Sequence, residues 1–132
     1  MNGSKESRIV AEVISTRIDP VRSVVRLTFV GDIGAAEASR DEAEIMAALG
    51  AARQGFFLLT DLSKLESMDI HCMTLLTRTM DFARRCGVAQ VVRIIPDSSK
   101  DIGLKIMSRF HYPVGLPIIT CENEAEAARA LT

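Results

Sequence analysis

His71 and Cys72 stand side by side, and a thiol next to an imidazole invites a nucleophilic or metal-binding reading. The spacing argues against it. Adjacent residues on a helix project about 100° apart and do not face each other, so the pair cannot meet within its own segment. Only one further histidine, His111, is available, and Cys72, Cys86 and Cys121 are odd in number, widely spaced and without a CxxC. A structural zinc set needs four ligands in close pairs, so no metal site is expected. The same cysteines read as reduced, mostly buried thiols of the cytosol. An enzyme resting on His71, Cys72 or Asp61 lacks a third orienting group, and without a GxxxxGK[ST] loop nucleotide hydrolysis has no support either. The chain reads as a non-enzyme with no catalytic residue and no cofactor.

The remaining polar candidates lie where helices begin. Asp69 has the place of an N-cap, its carboxylate satisfying free N–H groups of the first turn. Ser98 and Ser99, after Pro96 and before Lys100-Asp101, read first as caps and second as anion ligands, because a helix N-terminus offers free amides to both. Ser67 and Thr74 are hydroxyls on either side of the Asp69 turn. Met68, Met73, Met80 and Met107 are most simply core, although flexible thioethers also suit an adaptable surface.

These positions imply a succession of strands and helices. Residues 8 to 30 read as two strands joined at Asp19-Pro20, the second alternating Val25, Leu27 and Phe29 with Arg26 and Thr28. Gly31-Asp32-Ile33-Gly34 is expected to end that strand, and residues 35 to 53, rich in Ala, Glu, Met and Leu, form a helix. The run from Phe56 to Leu62 is short and apolar, as in a central strand covered on both faces, and a short loop should deliver it to Asp69. From there Cys72, Met73, Leu76, Met80 and Ala83 repeat at helical spacing up to a left-handed stop at Gly87. A strand over residues 88 to 95, a helix carrying Ile102, Ile106, Met107 and Phe110, a strand over 117 to 121 and a helix from Glu122 to Leu131 complete the chain. The class is α/β, a mixed β-sheet packed with helices in the order β-β-α-β-α-β-α-β-α.

At 132 residues the chain is long enough for one core, with residues 1–7 a flexible N-terminus and 8–132 one domain. Aromatic residues make up only 5%, so the core must be built from aliphatic and sulfur side chains. A net charge of −1 gives no overall pull toward nucleic acid or an acidic membrane. The polar N-terminus has no secretory pattern and no stretch is apolar enough to span a bilayer, so a cytoplasmic location is expected.

The register from Phe56 to Gly87, an apolar strand, Asp61-Leu62-Ser63, a second aspartate at Asp69, then a helix with Leu75-Leu76 and Ala83-Arg84-Arg85-Cys86-Gly87, resembles the STAS domain, the fold of bacterial anti-sigma factor antagonists. The element order agrees, and Gly31-Asp32-Ile33 is similar to the Gly-Asp-Leu that members place after their second strand. In regulated members the second aspartate precedes a hydroxyl residue that a partner kinase phosphorylates. The resemblance puts Ile70 there, and isoleucine cannot carry a phosphate. It implies a protein-interaction module without the usual switch, docking a regulatory partner such as an anti-sigma factor through Ser67, Met68, Asp69, Ile70, His71, Thr74 and Arg78. The alternative is a small-molecule or anion sensor at a helix N-terminus. The oligomeric state is left open, a dimer among the options.

Overall fold

Alternation of apolar and polar residues places the first two strands with one face inward. In the computed structural model, which describes residues 14–95 and 117–131, β1 (Ile14–Asp19) pairs antiparallel with β2 (Val24–Ile33) across the turn at Pro20–Ser23. Val25, Leu27 and Phe29 are buried, and Arg26 and Thr28 between them are half-buried. Helix α1 (Ala35–Ala51) follows, then β3 (Phe57–Met68), helix α2 (Ile70–Arg85), β4 (Gln90–Ile94), β5 (Ile118–Cys121) and helix α3 (Glu124–Ala130). Residues 1–7, the expected start of the first strand, Ser98, Ser99 and the expected helix around Ile102 to Phe110 lie outside the described residues.

The sheet has the spatial order β1-β2-β3-β4-β5, antiparallel at its first pair and parallel thereafter. The Phe56–Leu62 run therefore lies in mid-sheet, as expected of a run whose apolarity is broken only by Thr60 and Asp61. On one face Leu27, Phe29, Leu58, Leu62 and Val91 pack against Ile45 and Leu49 of α1 and Leu75, Leu76 and Met80 of α2. On the other Val24, Leu59, Val92 and Ile94 pack with Cys121 and with Ala127 of α3. Each such aliphatic side chain removed from water contributes about 1.5–3 kcal/mol, so the two layers rather than any polar contact hold the sheet.

Two boundaries differ by more than two residues from the sequence reading. Gly31 does not end β2. It adopts φ +79° at an irregularity in the pairing, a conformation open to glycine, and the strand resumes through Asp32 and Ile33. Nor does a loop follow Leu62. Residues 63 to 68 continue β3 beside Val30 to Ile33, with Leu65 buried and Lys64 and Glu66 exposed, so β3 runs directly into the helix cap. At its far end α2 closes as expected: the Gly87 and Val88 amides donate to Arg84 and Ala83, and Gly87 sits at φ +91°. A side chain at Gly87 would also strike Gln54, 2.6 Å from the ideal Cβ position.

Candidate functional site

The last residue of β3 and the first of α2 are separated only by Asp69. Its amide donates to the Ile33 carbonyl at 2.9 Å, tying the helix start to the end of β2. Its carboxylate caps α2 by accepting from the His71 amide at 2.8 Å, and the same oxygen lies 2.7 Å from His71 Nδ1. The hydrogen bond from that amide holds the Asp69 carboxyl below the usual carboxylate range, and the imidazole contact adds to it. A free amide of the first helical turn is thus already met by an anion belonging to the chain.

Around this cap the expected docking residues divide by position. Ile70 is off the buried stripe of α2 and is 64% exposed, an unusual setting for so large an apolar side chain. His71 and Thr74 are exposed beside it, the Thr74 hydroxyl donating to the Ile70 carbonyl at 3.2 Å. Ser67 is exposed and donates to Asp32 Oδ1 at 2.6 Å across the paired strands, and half-buried Met68 packs on the core. Asp32, Ile33, Gly34, Ser67, Met68 and Asp69 line one shallow depression here. Arg78 lies two turns further along α2, where it forms a two-pronged ion pair with Glu42 of α1, at 2.8 Å for its shorter bond. Residues 67 to 71 therefore form one surface, Thr74 adjoins it, and Arg78 belongs to the contact between helices.

The candidate nucleophiles are not assembled. Cys72 points into the core, where burial and then the nearby Asp69 and Glu37 charges push its thiol up to about 12. His71 turns outward to Asp69. Asp61, only 6% exposed, accepts from the Ser63 amide at 3.0 Å and hydroxyl at 2.6 Å and from Arg26 at 2.7 Å. Arg26 also grips both oxygens of Glu124 at 2.7 and 2.8 Å, so one guanidinium joins β2, β3 and α3. The Glu124 hydrogen bond and the two carboxylate charges raise the Arg26 pKa against the opposing effect of burial, and Arg26 in turn lowers that of Glu124. The sequence reading did not find this network. Its only trace was an aspartate inside an apolar run, and no local pattern links positions 26, 61 and 124. Among the described residues no group of three potential ligands is placed to hold a metal ion, and no helix is long and apolar enough to cross a membrane.

No protein-family model and no curated protein matches the chain. Solved structures do. The anti-sigma factor antagonist SpoIIAA in its unphosphorylated form superposes with a TM-score of 0.62 at 15% identity, covering 89% of this chain and 94% of its own. An uncharacterised protein with a SpoIIAA-like fold from Shewanella loihica gives 0.62 at 12% identity, over 90% and 92% of the two chains. An anti-sigma factor antagonist from Mycobacterium paratuberculosis gives 0.57 at 20% identity, over 92% and 97%. The fold is the SpoIIAA-like one that the register around Asp61 and Asp69 led us to expect.

Proposed function

We propose that this protein is a non-enzymatic interaction module of bacterial regulatory signalling, acting in the cytoplasm and docking a protein partner through the start of α2 without a phosphorylation switch at that point. The observation carrying this reading is the exposure of Ile70 at the first helical position after the capping aspartate. An apolar side chain held out by a rigid cap, with Ser67, Asp69 and His71 around it, has the anchor-and-rim arrangement that interfaces favour. The likeness to anti-sigma factor antagonists supports a regulatory partner, and the isoleucine supports a contact that phosphorylation does not release. The burial of Cys72 and the engagement of Asp61 by Arg26 support the absence of an enzymatic role.

Affinity capture from the native extract tests this, comparing wild type, Ile70→Glu and a surface control, Lys64→Gln. A regulatory protein retained by wild type and control and lost by a folded Ile70→Glu variant supports the reading. Retention by Ile70→Glu, or loss of the circular-dichroism signature of the fold in that variant, refutes it.

A further inference from the structure

Strand β1 lies at one edge of the sheet. Among the described strands it pairs only with β2, so every second pair of its backbone amides and carbonyls faces outward. Such an edge is a template for a further strand, and charged residues or proline usually blunt it. Pro20 does end this strand, but the charges on it are arranged differently. Arg17 and Asp19 are opposite in sign and two residues apart, hence on one face, with Ile18 between them on the other. The Arg17 side chain makes no hydrogen bond or ion pair among the described residues. Asp19 accepts from the Val21 and Arg22 amides at 3.1 Å through Oδ1, while its Oδ2 lies 3.9 Å from Arg22 Nε and accepts no hydrogen bond among the described residues.

These three residues complement themselves. When two copies of the strand pair antiparallel about a two-fold axis at Ile18, Arg17 of each lies directly opposite Asp19 of the other, and Ile18 lies opposite Ile18. Moving the axis by one residue sets Arg17 against Arg17 or Asp19 against Asp19, so charge selects this register. The face covered by α1 favours it as well. Ile18 is 50% exposed and borders a shallow hollow formed with Thr16 and with Glu44, Ala47, Ala48 and Ala51 of α1. Ala47 and Ala51 are themselves exposed, and their small side chains leave a space beside Ile18 that a second Ile18 fills. In the same hollow the Thr16 hydroxyl is buried and has no hydrogen-bond partner among the described residues, so this flank is incomplete in the single chain.

We infer that a second copy of this chain docks along β1, joining two sheets into one by antiparallel pairing centred on Ile18. The Asp69–Ile70 surface lies at the other end of β2 and β3 and stays free in each copy. Sedimentation equilibrium of the full chain over a concentration series should show monomer and dimer. Arg17→Glu sets like charges opposite each other at two symmetric pairs and should weaken the dimer about tenfold. Ile18→Lys should abolish it, and Ile70→Glu should leave it unchanged. These side chains are exposed, and circular dichroism checks that each variant is folded. Ile18→Cys reads the register: the two opposed Cβ atoms stand about 5 Å apart, close enough for a disulfide after a small adjustment. Mild oxidation should therefore link the copies through Ile18→Cys, whereas Val21→Cys, in the turn beyond the strand, should cross-link no more than wild type. A monomer at every concentration, a dimer indifferent to Arg17→Glu and Ile18→Lys, or equal cross-linking through Val21→Cys and Ile18→Cys overturns the inference.

Discussion

Asp69 and His71 are joined twice: one carboxylate oxygen accepts from the His71 amide at 2.8 Å and lies 2.7 Å from its ring Nδ1. The contact fixes the direction in which α2 leaves β3, and with it the outward position of Ile70. Asp69→Ala should lower the melting temperature, and Asp69→Asn, which keeps a capping oxygen, should recover most of the loss. Because folding depresses the Asp69 pKa, the stabilisation is present above the ordinary carboxylate value and is lost as pH falls through the lower, folded one. Acid unfolding curves of wild type and Asp69→Asn should therefore converge at the acid end. Curves that stay parallel would deny the charged cap its role.

Arg26 ties α3 to the central strands, its guanidinium bonding Asp61 of β3 and Glu124 of α3. Arg26→Ala leaves Asp61 buried without its cation and should cost about 1–3 kcal/mol in urea unfolding. Glu124→Gln should cost much less, since Glu124 is largely exposed and its pair is screened by solvent. The Glu124 contribution has the same sign as that of Asp69, fading as pH falls through its depressed folded pKa. Similar losses in the two variants would place the stabilisation in α3 docking rather than in the burial of Asp61.

Thr60 lies in the first half of β3 with its hydroxyl buried and without a hydrogen-bond partner among the described residues. Thr60→Val replaces that hydroxyl by a methyl of similar shape and should stabilise the fold by about 1 kcal/mol, read as a raised urea midpoint at unchanged slope. A lowered midpoint would mean that the hydroxyl is hydrogen-bonded in solution.

Cys72 should resist alkylation in the native protein at neutral pH and react once the chain is unfolded, because it is fully buried and its thiol is pushed up to about 12. Half-buried Cys86 should be modified first. Rapid native labelling of Cys72 would reopen the nucleophilic reading that its burial closes.

Much of the architecture was legible in short-range patterns. The alternation of Val25, Leu27 and Phe29 marked β2, the mostly apolar Phe56–Leu62 run marked the central strand, and Asp69 and Gly87 marked the two ends of α2. Each is a consequence of backbone geometry or side-chain periodicity acting over a few residues, so composition and spacing suffice to reveal it. The outward placement of His71 and inward placement of Cys72 followed from the same helical period.

The second half of β3 was not legible, because Ser63 to Met68 becomes a strand by pairing with Val30 to Ile33, more than thirty residues earlier, and Gly31 bends to permit it instead of ending the strand. Arg26, Asp61 and Glu124 come from three elements, with nothing in the intervening sequence to signal that they meet. By itself the sequence determined the order of the described elements, their buried stripes and the Asp69 cap, since those depend on local sterics and on period. Only the tertiary structure decided which charges meet and which end of the sheet they occupy, since that depends on strand pairing and parallel crossovers that join residues far apart in the chain.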